Sequence, residues 1–397
     1  MKIGIIGAGT ASAISILIMI QAVQRNKSQH IEFYCISDPS KPTARVGEST
    51  SALVHDTMRD VLGVEFLEDL EVYDGTLRYY TKYFWSEANG NDFSIRYHSP
   101  GLHLNSEKWS DYVFKKLIEK YDFFHQVFDE IASIENQSGR AVVQGKSEAY
   151  VFDYIIDCTG SPTAAELASD AYITDVFQSV NSVILNPDFK DYGENNTSAY
   201  VHPNGWMFGV PLTLRKAFGY CYNNEFTSYE EAVKDFSHIK GIDASTLRNF
   251  SWIPYRKAQA IDERILAMGN KLYLYEPQQA MPLHYYALIT SCFIDGILNN
   301  VPNDVLNQVI NKFNNEAMED ISNLMALNYC GENHIDSVFW NALKQRSTDH
   351  LKKSKRWQNW LKEVETAGKI IGYYPADVSM MTSYIKGFKI DLATLKE

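Results

Sequence analysis

Nothing in this chain of 397 residues reads as a membrane span. The apolar run "ASAISILIMI" (11–20) is far short of the roughly 20 residues a bilayer requires, and it directly follows a glycine turn. Cysteine is sparse. The five, at 35, 158, 221, 292 and 330, are odd in number and widely spaced, and no CxxC occurs. That pattern excludes a disulfide framework and a zinc site, and it points to free thiols in a reducing compartment, the cytoplasm. Positive charge is also short. Lys and Arg number 37 against 49 Asp and Glu, a net charge of −12, which argues against nucleic acid or an anionic membrane as partner. No repeat or low-complexity linker appears. The opening "MKIGIIGAGT" is already a strand and a turn, so no signal peptide is expected.

What is present is an ordinary globular balance, 45% apolar and 22% charged. Residues 2–6 read as a short buried strand. "GAGTAS" (7–12) follows, then an apolar helix to about Gln24. This is G-x-G-x-x-G with Ser12 at the third glycine. Gly7 permits the tight turn, and Gly9 lets backbone approach a pyrophosphate. Thr10 and Ala11 open the helix, whose N-terminus supplies amide donors. A strand–turn–helix context makes the motif specific. The second strand, "IEFYCIS" (31–37), ends in Ser37–Asp38, so Asp38 is the candidate ribose ligand, one residue late. NAD and FAD are not separated by these features.

Four further segments stand in order: "RVGEST" (45–50), "YIIDCTGS" (154–161), "GWMFGVPL" (205–212) and "LYEPQQA" (274–280). Taken alone, Trp206 and Phe208 share one strand face and suit a core. In sequence, the segments resemble the flavin-dependent halogenases of the tryptophan halogenase type. That family carries V-G-E-[AS]-T, I-D-C-[ST]-G, G-W-x-W-x-I-P and F-x-E-P-L-E-S. The resemblance extends through "GLHLNSEKWSDYVFKKLIEKY" (101–121), which looks like the family's helix, and covers roughly residues 1–300.

The resemblance implies an α/β chain with a flavin-monooxygenase-like Rossmann FAD-binding fold, an interleaved β-sheet substrate layer and a helical C-terminal region. All 397 residues form one unit. FAD-binding parts fall at about 1–70, 101–175 and 256–300, the substrate-side layer at 71–100 and 176–255, and the helical part at 301–397. It implies FAD, bound as FADH2 from a separate NAD(P)H-dependent flavin reductase, and a halide ion. Hypohalous acid made at the flavin would pass down a tunnel to a lysine beside a small aromatic substrate. A homo-oligomer is left open. Cofactor contacts carry over to Val46, Gly47, Glu48, Ser49, Thr50, Gly160, Gly269 and Asn270, and tunnel or halide contacts to Trp206, Phe208, Pro211, Ala280, Met281 and Pro282.

The departures carry as much information. The family's lysine position falls on Arg78 in "GTLRYYTKYFW" (75–85), with Lys82 four residues on. Arginine keeps its charge and is a poor nucleophile. In a regular strand Arg78 and Lys82 share a face, roughly 13 Å apart, so Lys82 is the expected reactive amine with Arg78 beside it. Gln279 replaces the family's glutamate, and Ala280, Met281 and Pro282 replace its Ser-Thr-Gly, of which the Thr-Gly backbone binds halide. Glutamine cannot act as a base, and proline removes an amide donor. A softer pocket of this kind favours bromide and iodide over chloride. The shortened C-terminal third implies an open site and a non-tryptophan or relaxed aromatic substrate. Two rivals stand beside this reading: a flavin-dependent aromatic hydroxylase, and a flavin-binding protein without turnover.

Overall fold

Ile3, Ile5 and Ile6 of the strand Lys2–Ile6 are fully buried because the strand has a parallel neighbour on each side, Tyr154–Asp157 and Glu32–Ser37. With both faces covered, such a strand must be apolar throughout. The computed structural model describes residues 1–26, 30–41, 47–65, 69–85, 92–190, 193–277, 281–332 and 335–397. Around that first strand stands a six-stranded sheet, in the order Ile261–Asp262, Ile265–Ala267, Tyr154–Asp157, Lys2–Ile6, Glu32–Ser37 and Phe124–Phe128. The helix Thr10–Arg25 buries ten residues between Thr10 and Ile20. It packs against a second apolar helix, Met281–Leu298, and so is hydrophobic nearly all round.

A second, eight-stranded sheet runs Arg248–Ser251, Ser182–Asp188, Lys216–Tyr222, Gly205–Pro211, Asn196–His202, Thr76–Phe84, Phe93–Asn105 and Gly47–Ser49. One face packs on the helix Tyr229–Lys240 through Met207, Tyr220 and Phe236. Residues of its other face, with Trp206, Phe208 and Val210 at period two, line a cleft shared with the six-stranded sheet. A small sheet of Tyr172–Ile173, Tyr255–Lys257 and Tyr273–Leu274 lies at the same cleft. This is the α/β fold expected, with the two layers interleaved along the chain. Among the described residues, no helix is long and apolar enough to cross a membrane.

Two boundaries differ from expectation. Residues 101–105 are not helical but finish the strand Phe93–Asn105, and the helix is Ser106–Lys120. Asn105 caps it, accepting from the Lys108 amide at 3.4 Å. Within the helical part expected over 301–397, the segment 338–367 is broken in two at Ser354, which ends Val338–Lys353 and caps Lys355–Ala367. Its hydroxyl accepts from the Trp357 amide (3.3 Å) and Asn323 Nδ2 (2.8 Å) and donates to Glu319 (2.8 Å). Ser354→Ala should lower stability by about 1–2 kcal/mol in urea unfolding; an unchanged midpoint would show that these bonds contribute nothing net.

Candidate functional site

The cleft has a volume of about 2310 Å³. Single small-ligand pockets run to roughly 1,000 Å³, so there is room for a dinucleotide and more. Its floor is the carboxyl edge of the six-stranded sheet, where nucleotides bind in this architecture. Gly7 sits at φ +106, and a Cβ there would meet the Cys158 carbonyl at 2.5 Å, so the turn requires glycine. Gly9 is different. Its φ is −89, and a Cβ would meet nothing within 4 Å. The chain itself places no atom against it, as expected of a glycine kept bare for a ligand. Gly9 is also the N-cap of Thr10–Arg25, and no side chain caps that helix, which leaves its first amides for an anion. Ser12 is fully buried at the third-glycine position.

The other motifs converge here. Glu48 Oε2 accepts from Thr10 Oγ1 at 2.6 Å, which ties the loop to the first turn of the helix. Burial raises its pKa, opposed by bonds from Thr10 and Ser106. Ser49 lines the cleft and lies 3.4 Å from Thr197 Oγ1. Asp38 lines the far end. Its carboxylate, held low by Ser40, accepts from the Ser40 amide at 2.8 Å and pairs with Lys41. Phe128, 62% exposed, lines the cleft as well, and no sequence motif marked it. Gly160 (φ +97) has open space where a Cβ would stand. Gly269 (φ +64) approaches Ala11 so closely that its Cβ would stand 3.0 Å from the alanine's. Tyr255 donates to the Asn270 carbonyl (2.6 Å) and pins that turn. Uncapped amides, bare glycines and a ribose-side carboxylate together fit FAD.

At the strand Thr76–Phe84 the expectation fails. An irregularity between Arg78 and Tyr80 shifts the pairing register against Phe93–Asn105 by three residues, and a shift by an odd number turns later side chains to the opposite face. Arg78, Thr81 and Tyr83 therefore line the cleft. Lys82 does not share the face of Arg78. Its ammonium lies 4.3 Å from the Phe84 ring on the other side, and Phe84 stacks on Tyr200.

Arg78 is 3% exposed and has no carboxylate partner among the described residues. Its Nε donates to Thr197 Oγ1 (3.1 Å), one terminal nitrogen to the Thr50 carbonyl (3.1 Å), and the other to Thr81 Oγ1 (3.0 Å) and the Tyr97 hydroxyl. These use four of the five guanidinium N–H groups. His103, fully buried, bridges Thr76 (3.0 Å) and Thr197 (2.9 Å). Burial holds its pKa well below the ordinary range, with Arg78 and Lys216 adding to the shift, so the imidazole is neutral.

Three more assignments need correction. Thr50 does not line the cleft; it is buried beneath Arg78 and exchanges bonds with Leu102. Pro211 falls out of phase with Trp206, Phe208 and Val210, and its carbonyl accepts from Thr76 (2.8 Å). Met281 packs into the core at the start of its helix, whereas Pro282 lines the cleft. Gly47 sits in the paired strand Gly47–Ser49. Val46, Gln279 and Ala280 lie outside the described residues.

Beside the aromatic strand is a group the sequence did not single out for a role. Trp206 donates from Nε1 to the Tyr329 hydroxyl (3.0 Å), which donates to Glu276 Oε2 (2.9 Å). Ser179 donates to the same oxygen. Oε1 is buried without a partner among the described residues. Burial pushes the Glu276 carboxyl up to about 7, opposed by bonds from Ser179, Tyr329 and the Val180 amide.

A Rossmann cleft facing an aromatic strand defines an α/β protein with a dinucleotide-binding site. The family profile described as tryptophan halogenase matches residues 99–370, and the chain belongs to that family, flavin-dependent enzymes that use FAD. It is 22% identical over 267 residues to the tryptophan 7-halogenase KtzQ of Kutzneria sp. (strain 744), covering 61% of this chain and 48% of that protein. It is 23% identical over 232 residues to the tryptophan 6-halogenase ThaL of Streptomyces albogriseolus, covering 54% and 41%. The chain spans about half the length of the curated relatives it matches. Its fold superposes on a tryptophan halogenase from Shewanella frigidimarina NCIMB 400 with a TM-score of 0.82 at 18% identity, covering 98% of this chain and 89% of that one. For BrvH, a flavin-dependent halogenase from Brevundimonas sp. BAL3, the TM-score is 0.80 at 15% identity, covering 99% and 91%.

The buried carboxyl makes a pH prediction. Below its ordinary value of 4.5, Glu276 is protonated whether the chain is folded or not. Between 4.5 and about 7 the unfolded chain ionises it and the fold does not, so its contribution to stability is lost as pH rises through that window. Glu276→Gln should reduce the drop in unfolding free energy between pH 5 and pH 8 by about 2–3 kcal/mol. An identical pH dependence in the variant would show that another group titrates.

Proposed function

We propose that this chain is an FADH2- and O2-dependent halogenase of electron-rich aromatic compounds in which Arg78, rather than a lysine, handles the oxidised halogen. The observation that carries the reading is a buried guanidinium without a carboxylate partner among the described residues, lining the same cleft as the dinucleotide cradle, Trp206 and Phe208. A separate NAD(P)H-dependent reductase in the cytoplasm supplies the reduced flavin. When bound, the flavin supplies the oxygen activation that converts halide to hypohalous acid. Cofactor-side residues (1–70, 101–175, 256–300) and the substrate-side layer (71–100, 176–255) act as one unit with the helical part (301–397).

The chain's own groups then have separable tasks. Gly7, Gly9 and the helix opening at Thr10 hold the diphosphate. Trp206, fixed by Tyr329, and Phe208 keep an aromatic substrate from the flavin, which suppresses hydroxylation. Arg78 donates its remaining N–H to the oxygen of hypohalous acid. The aromatic carbon takes the halogen, the O–X electron pair stays on oxygen, and that oxygen with the ring's displaced proton leaves as water. Arginine cannot shed its proton near neutral pH, so no haloamine forms and the halogen is transferred from a hydrogen-bonded acid. Pro282 offers no amide to a small hard anion, so bromide and iodide are used better than chloride. The substrate is an aromatic other than free tryptophan.

Mass spectrometry of a phenol and indole panel, with FAD, an unrelated flavin reductase, NADH, catalase and each halide separately, tests this. A halogen mass shift should be at least 100-fold weaker in Arg78→Met, about 2.7 kcal/mol of transition-state stabilisation. It should persist within about 3-fold in Lys82→Met. The reverse pattern would restore the lysine. Chloride serving as well as iodide would end the halide assignment. An oxygenated product without halide would identify a hydroxylase, and flavin binding without any product an inactive binder.

A further inference from the structure

Lys257 is a cleft-lining cation that the flavin-binding motifs do not include. It ends the strand Tyr255–Lys257, and its amide donates to the Leu272 carbonyl at 2.7 Å, which fastens it behind the Gly269–Lys271 turn. Its partially buried ammonium makes no hydrogen bond and no ion pair among the described residues, and its nearest aromatic neighbour is Tyr172, with the ring centroid 5.8 Å away. The acids around it are already engaged or exposed. Asp157 accepts from the Thr159 amide (3.0 Å) and hydroxyl (2.7 Å). Glu166 takes Lys271 (2.6 Å) and the Thr163 amide (2.8 Å). Asp262 is exposed on its hairpin. Burial lowers the Lys257 pKa and Lys271 lowers it further, against Asp157, Asp262 and Glu166. A half-buried ammonium with no bonded anion is a cost that an incoming anion removes.

Strand order says which part of the cofactor meets it. Along the carboxyl edge of the six-stranded sheet, Asp38 follows Glu32–Ser37, the Gly7–Ser12 turn follows Lys2–Ile6, Gly160 follows Tyr154–Asp157 and Gly269 follows Ile265–Ala267. A dinucleotide with ribose at Asp38 and diphosphate at the helix N-terminus continues toward the last two strands. Lys257, on the adjoining small sheet, feels the charge of Asp157 at the end of the third of these strands, which puts it beyond the diphosphate cradle, toward the flavin half.

We propose that Lys257 is the counter-ion of the reduced flavin ring, and that it makes this cleft select reduced over oxidised cofactor. The inference rests on the flavin reading above. The oxidised isoalloxazine is neutral, whereas the two-electron-reduced ring near neutral pH carries one negative charge at its pyrimidine end. A cation beside it strengthens binding of the reduced form alone. By linkage, the same preference raises the midpoint potential of bound flavin and the proton affinity of the lysine. A chain that receives reduced flavin by diffusion needs this discrimination, because oxidised flavin otherwise competes for the same cradle.

The test is anaerobic fluorescence titration of the apo-chain with oxidised FAD, dithionite-reduced FAD and ADP, the last probing the diphosphate cradle alone. Wild type should bind reduced FAD about tenfold tighter than oxidised, or 1.4 kcal/mol, equivalent to about 30 mV in midpoint potential. In Lys257→Met that ratio should fall to within about twofold of unity while the ADP and oxidised-FAD affinities stay within about twofold, which also shows that the cleft is still folded. Lys257→Arg should recover most of the ratio. Equal weakening of all three ligands would make Lys257 a diphosphate contact and overturn the proposal, as would an unchanged ratio. Wild type that binds neither form of FAD would sink the cofactor reading and this proposal with it, a pattern distinct from any effect confined to the variants.

Discussion

A guanidinium buried without a counter-charge among the described residues organises this protein. Charge in a dry interior is costly unless its hydrogen-bonding capacity is met. Arg78 meets it with a carbonyl and three hydroxyls drawn from different parts of the chain: Thr50 beyond the strand Gly47–Ser49, Thr197 on the strand Asn196–His202, and Thr81 and Tyr97 on the paired strands Thr76–Phe84 and Phe93–Asn105. The same bonds bind the loop behind the cofactor cradle to the large sheet. Gly101 lies so close under Thr50 that a Cβ would come within 2.2 Å of its carbonyl, so the approach needs glycine. The knot leaves one guanidinium N–H of this cleft-lining residue without a partner among the described residues.

The cleft divides its tasks by chemistry. Backbone amides and bare glycines serve the cofactor end, where a diphosphate needs many weak donors and no side-chain bulk. An aromatic strand stands between, and its indole is held in place by a hydroxyl and a carboxyl rather than by packing alone. That carboxyl, Glu276, has no cation near it among the described residues to favour ionisation. The carboxyl at the end of the network that anchors Trp206 is therefore only partly ionised near pH 7.

The dinucleotide half was legible along the chain because its requirements are local. A β-branched strand, glycines at two fixed offsets and an apolar helix follow one another within 25 residues, and backbone sterics make few other residues acceptable at Gly7. The aromatic pair was legible for a similar reason, since period two needs only a regular strand. Lys82 was misplaced because the irregularity between Arg78 and Tyr80 depends on what the neighbouring strand does, and the residues themselves do not announce it. Pro211 and Met281 were misread in the same way, being one position out of phase with the wall they were assigned to.

Glu276 and Lys257 belong to neither local pattern. Burial lifts the carboxyl, and the partners that oppose the lift, Ser179 and Tyr329, stand 97 and 53 residues away. Lys257 matters because a strand pairing presents it to the cleft near the end of the Tyr154–Asp157 strand, about a hundred residues earlier in the chain. The amino-acid sequence by itself determined the dinucleotide turn, the order of the family motifs and the α/β architecture, since each follows from short-range sterics and hydrophobic periodicity. Only the tertiary structure decided which basic residue faces the cleft, which carboxyl is pushed up toward neutral pH and which lysine lacks a partner among the described residues. Desolvation and charge are set by whatever is packed nearby in space, and that is a property of the folded chain.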